Sequence, residues 1–117
     1  MIEPEIADAI AKQLFRNEDQ NVYAVLDGAA IPDLLDKLFD FEPEYECLYR
    51  GELEPDMAEV APYLVLLDQD SDFCSWVIEK GWGNHWGIFA RSEEDLREMR
   101  KHFRMFLTVY DPDARPM

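Results

Sequence analysis

The sequence predicts an α/β layered domain whose central sheet is mixed or mostly parallel, with about five strands flanked by helices. Two observations carry this. Val22-Tyr23-Ala24-Val25-Leu26 and Tyr63-Leu64-Val65-Leu66-Leu67 are continuous apolar runs, as expected of strands buried on both faces. Segments with helical spacing stand between the strand-like ones, the order expected when helices link neighbouring parallel strands. The 117 residues, 48% apolar and 13% aromatic, suit one domain over 1–117 with a single core.

Ile6, Ile10, Leu14 and Phe15 recur at helical spacing, so residues 3–16 read as an amphipathic helix with Pro4 in its first turn. The first strand, 22–26, ends at Asp27-Gly28. Pro32 opens a second helix, with Leu34, Leu35, Leu38 and Phe39 as its apolar stripe and Pro43 beyond its end. Tyr45, Cys47 and Tyr49 alternate with Glu46, Leu48 and Arg50 in a shorter strand. Residues 52–62 read as an acidic, Pro-punctuated loop with room for one helical turn, before the strand 63–67. A short helix spans 71–80, Gly81-Trp82-Gly83 makes a turn, and Trp86 to Ala90 form a strand in which Gly87 marks a bulge or a close approach. Ser92 stands as N-cap of the last helix, with Asp95 three residues on as in a capping box. Leu107 to Tyr110 read as a final strand.

Eleven basic residues face twenty-six acids, a net charge of −15. That excludes a generic nucleic-acid binder and a peripheral helix for anionic membranes, because both need clustered cations. No apolar run approaches the roughly 20 residues of a membrane span, and the acidic start lacks the order of a signal peptide. Cys47 and Cys74 do not make a disulfide framework, so a reduced, cytoplasmic protein is expected. Residues 1–72 hold nineteen acids against four bases, whereas 73–117 hold seven of each. The acidic part is either a solvated face or a docking surface. Arg97, Arg100, Lys101 and Arg104 follow i, i+3, i+4, i+7 spacing, a basic stripe that either pairs internally or meets an acidic partner.

Candidate chemistry is sparse. Asp68, Asp70, Asp72 and Glu79 fall at positions 1, 3, 5 and 12 of a calcium loop, but position 6 is Phe73 where that loop needs Gly. The alternative is that Ser71 or Asp72 caps the following helix. Asp68-x-Asp70 after a strand also has the form of an aspartyl phosphatase nucleophile, without a suitable downstream lysine and acidic partner. His85 could act as a base towards Cys47 or Cys74, or simply bond backbone at a turn. No catalytic constellation, metal or cofactor is expected.

Four strings carry a resemblance. They are Val22–Ala29 with Ile31-Pro32-x-Leu34-Leu35; Glu44–Tyr49 with Gly51-Glu52-Leu53; Val60–Val65; and Gly81-Trp82-Gly83-x-His85-Trp86-Gly87-Ile88-Phe89, followed by Leu96-Arg97 and His102-Phe103-Arg104. Together they resemble the effector adaptor (chaperone) family of type VI secretion systems, over about residues 20–115. The resemblance implies a non-catalytic, cytoplasmic bacterial protein that binds an effector and helps load it onto the VgrG spike. It also implies that the chain is the N-terminal lobe, a second helical lobe being absent.

An adaptor acts through anchors on its surface. Trp82 and Trp86, with His85 between glycines, are the first candidates, although a Trp in a strand can equally be core. Tyr45 and Tyr49 come next, beside residues 40–59 where eight acids face Arg50 alone. The basic stripe is the third. Two other functions fit the composition: an acidic decoy that mimics DNA, and a small metal-dependent hydrolase or calcium-binding protein using Asp68, Asp70, Asp72 and Glu79.

Overall fold

The computed structural model describes residues 3–49, 53–81, 84 and 86–110, the last five of these by backbone alone. Along the chain run α1 (Pro4–Leu14), β1 (Asn21–Asp27), α2 (Leu34–Phe41), β2 (Tyr45–Cys47), α3 (Pro55–Val60), β3 (Pro62–Leu67), α4 (Asp72–Gly81), β4 (Gly87–Ser92) and α5 (Leu96–Tyr110).

The sheet corrects the expectation of about five strands in a mixed or mostly parallel sheet. Its four strands stand in the order β2-β3-β1-β4, and every neighbouring pair is antiparallel. Helix-linked strands do run the same way: β1 with β2, and β3 with β4. Each of these connections skips one position, and the skipped place is filled by a strand running oppositely. This interleaving is the split βαβ arrangement. Continuous apolar runs report burial on two faces, which β1 and β3 have as central strands; they do not report strand direction.

The two faces are distinct cores. Val22, Ala24 and Leu26 of β1, with Tyr63, Val65 and Leu67 of β3, face α1, α2 and α4, where Leu34, Leu38, Phe73, Val77 and Ile78 are buried. On the other face Tyr23 and Leu64 meet Met99 of α5, flanked by Leu96 and Phe103. Each fully buried aliphatic or aromatic side chain contributes on the order of 1.5–3 kcal/mol.

Four local expectations change. The expected strand 107–110 is the last turn of α5, because nothing in Phe106-Leu107-Thr108-Val109 breaks the preceding helix. Asp95, and not Ser92, caps α5: its carboxylate accepts the Glu98 N–H at 2.9 Å and its carbonyl the Met99 N–H at 3.0 Å. Ser92 ends β4 and its hydroxyl accepts the Glu94 N–H. Residues 55–60 form a full helix, with Pro55 at its start. In α1 the buried residue is Ala7, and Ile6 is exposed.

Gly87 is a close approach between strands. A Cβ there would lie 1.7 Å from the Val25 carbonyl oxygen. Replacing Gly87 with Ala must therefore push β4 away from β1. Thermal unfolding of Gly87→Ala should show a melting temperature lowered by at least about 4 °C, since roughly 1 kcal/mol moves a domain of this size that far. An unchanged melting temperature would contradict this geometry.

Candidate protein-binding surface

The basic stripe divides between internal and outward roles. Arg100 pairs with Glu46 of β2 at 3.2 Å. Arg104 donates to the carbonyls of Cys47 at 2.8 Å and Tyr49 at 3.3 Å, fastening α5 to the edge strand. Lys101 pairs with Glu98 of its own helix at 3.4 Å, and Arg97 is exposed. Such partly exposed pairs contribute at most about 1 kcal/mol each, so their main effect is to set where α5 lies on the sheet.

Trp86 is half-buried and packs against the core, its ring 4.9 Å from that of Trp76. A Cβ on Gly81 would come within 2.8 Å of this indole, so the glycine lets the ring lie on the helix backbone. Trp82 and His85 lie outside the described residues. Tyr45 and Tyr49 are exposed at 41% and 38%, large aromatic surfaces on β2 and just beyond it. Phe39, expected in the apolar stripe of α2, is 81% exposed. It lies off the line of Leu34 and Leu38, the two residues of that helix that are buried.

A groove crosses the end of the sheet where β1 begins and β3 ends. It consists of clefts of about 660 Å³ and 580 Å³ that share Asn21, Pro43, Glu44 and Leu66. The larger has an apolar floor, with Val22, Leu67 and Phe73 buried beneath half-buried Phe15 and Leu66. Phe41 stands at its wall, edge-on to Phe73 at 5.8 Å. Glu42, Glu44, Asp68 and Asp70 surround this floor, and none of the described residues lining it is basic. Glu42 reaches its place because it ends α2 in the left-handed conformation, φ 51°, with its N–H on the Leu38 carbonyl. The smaller cleft is lined by Tyr45, Glu46, Asp95 and Arg97.

The Asp68–Asp72 segment is a helix cap. Asp68 accepts the Asp70 N–H, and the Ser71 hydroxyl accepts the Cys74 N–H at 3.1 Å while donating to the Asp68 carbonyl. Among the described residues no three His, Cys, Asp or Glu side chains converge as metal ligands. Burial pushes the Cys74 thiol up to about 11. Burial thus opposes formation of its thiolate, the form that attacks as a nucleophile.

Over residues 22–117 the chain matches the family model described as a domain of unknown function, DUF4123. The chain belongs to the DUF4123 family. No curated protein and no solved structure matches it. This match takes in the sheet from Val22 onwards, Tyr45 and Tyr49, the basic helix and the groove apart from Phe15, Gln20 and Asn21. Among the described residues, no helix is long and apolar enough to cross a membrane.

Sequence reasoning found the acids and tyrosines of the 40–49 segment but not the groove. Its floor joins residues as distant as Phe15, Val22, Leu67 and Phe73, which no local pattern connects.

Burial also raises Tyr63 to about 12, with the Cys47 thiol beside it. Both Cys74 and Tyr63 keep their protons more firmly folded than unfolded. Their contribution is full below the ordinary thiol value of 9.0 and is lost as pH rises towards about 11 and 12. Urea unfolding at a series of pH values should show stability falling across this alkaline window. A flat profile would show that neither proton is linked to folding.

Proposed function

We propose that this DUF4123 domain is a non-catalytic adaptor that holds a type VI secretion effector and helps place it on the VgrG spike, acting in the bacterial cytoplasm. One structural observation chiefly supports this reading. Tyr45, at the smaller cleft, and Tyr49 and Phe39 keep large aromatic surfaces exposed within the strongly acidic first part of the chain. Exposed aromatics among charged neighbours are the usual anchors of protein interfaces, while surrounding charges steer the approach of a partner. The partners in this proposal are those that the resemblance of the four sequence strings implies.

Arg100 and Arg104 are engaged within the chain, whereas the Tyr45 and Tyr49 rings are exposed. There an effector would contact aromatic rings, and acids would favour a cationic client surface. Affinity would rest on a few side chains, and a client held in this way can be passed on.

The test is co-expression with a spike protein and effector encoded beside this chain. Wild-type chain should co-purify with the effector, and Tyr45→Ala/Tyr49→Ala should retain less than about a tenth of it, the loss expected when interface anchors are truncated. Circular dichroism should show the fold retained. No co-purification of effector or spike with the wild-type chain would refute the adaptor reading.

A further inference from the structure

We propose that the larger cleft at the end of the sheet seats a basic amphipathic segment of the client protein, its apolar side chains on the Phe15–Phe73 floor and its Lys or Arg side chains against the acidic rim. This deepens the adaptor reading and rests on it for the source of the segment.

Three observations favour this occupant. The cleft, of about 660 Å³, has an apolar floor built from Phe15 just beyond α1 and from β1, β3 and α4, so it offers burial to apolar side chains. Phe41 adds an exposed ring at the wall. Its four carboxylates, from Glu42, Glu44, Asp68 and Asp70, have no cation among the described lining residues. Such a surface attracts positive charge and disfavours an acidic or neutral segment by the desolvation it would impose on the carboxylates.

The N-terminus of α4 does not reverse this preference. Ser71 already meets its Cys74 N–H, and Asp72 occupies its first turn. Nor do the carboxylates draw together as ion ligands: no three described metal-binding side chains converge there. Charges spread round an apolar floor suit an extended or helical chain, in which cations alternate with apolar groups. The smaller cleft continues the same groove past Tyr45, so a seated segment would lead towards the tyrosine anchors.

The test uses the full chain and a short fluorescein-labelled peptide that alternates Lys with Leu. A Glu-Leu peptide of equal length is the counter-probe. Anisotropy should show binding of the Lys-Leu peptide alone, weakening as salt rises. Glu44→Lys/Asp70→Lys should weaken it about tenfold or more. Asp36→Lys/Glu59→Lys makes the same change of net charge at a separate cleft beside Gly28. It should weaken binding less than about threefold, because the peptide would be responding to a place and not to net charge alone. In amide titrations of the unmodified chain, Gln69, Asp70 and Glu44 should move first, which reads the site even if a variant unfolds.

Equal weakening by the two variant pairs would overturn the proposal, as would binding of the Glu-Leu peptide or amide shifts centred elsewhere. Displacement of the peptide by micromolar calcium would also overturn it, in favour of an ion site. Effector co-purification that survives Glu44→Lys/Asp70→Lys would overturn the groove while leaving the adaptor reading standing. Site-specific Lys-Leu binding by a chain that captures no effector would uphold the groove's specificity and refute the adaptor reading.

Discussion

The pairing of β1 with β3 is the constraint on which the rest of the structure depends. Six residues of β1, Val22 to Asp27, find antiparallel partners in Leu67 to Pro62. Because side chains alternate, this one ladder supplies both cores: Val22, Ala24 and Leu26 to one and Tyr23 to the other. A slip of one residue would exchange the two sets and place Tyr23 among the helices of the opposite face. Tyr23 marks the register further, since its hydroxyl donates to the Glu94 carbonyl at 2.6 Å and ties the sheet to the turn before α5. The groove inherits its position from this register, because Val22 and Leu67, the pair at that end of the ladder, lie in its floor.

Much of this fold was legible in the chain, and the misses share a cause. Val22–Leu26 and Tyr63–Leu67 were recognisable as central strands because their apolar runs are long and continuous. Helix α4 was recognisable from Phe73, Trp76 and Val77, with Ser71 or Asp72 as its cap; the structure chooses Ser71. Strand direction was not legible, because it depends on which places the helical connections skip, and local periodicity contains no such information. Leu107-Thr108-Val109-Tyr110 has strand-like composition, but its position after an uninterrupted helical segment decides its conformation. Ser92 and Asp95 are both good caps, and the choice follows from β4, which extends far enough to claim Ser92. Of the surface, Tyr45 and Tyr49 were readable from the acidic context around them. Phe39 was not, because its neighbours Leu34, Leu35 and Leu38 gave it the look of a core residue.

The charge asymmetry takes on a structural meaning once the helices are placed. Four acids of the first part, Glu42, Glu44, Asp68 and Asp70, stand at the rim of the groove, and Asp36, Asp40, Asp56 and Glu59 are exposed on α2 and α3. The later, neutral part supplies the arginines that reach back across the chain. Arg100 pairs with Glu46 and Arg104 with the Cys47 and Tyr49 carbonyls, so among the ion pairs between described residues only the Arg100 pair engages an acid of the first part. A net charge of −15 favours repulsion between copies of the chain and attraction of cationic groups.

The hold of Arg104 on β2 has a consequence for how this sheet meets other chains. Leu48 and Leu66 donate to the Pro62 and Glu44 carbonyls, so the even-numbered positions of β2 point their backbone groups inward to β3. The odd-numbered positions therefore turn theirs to the outside, the side from which another strand could add on. Arg104 occupies the Cys47 and Tyr49 oxygens on that border with a charged side chain. A short strand so blocked is a poor template for uncontrolled sheet growth. The guanidinium thus acts as a stopper against fibril-like stacking, leaving the tyrosine rings free to be touched without the backbone being recruited.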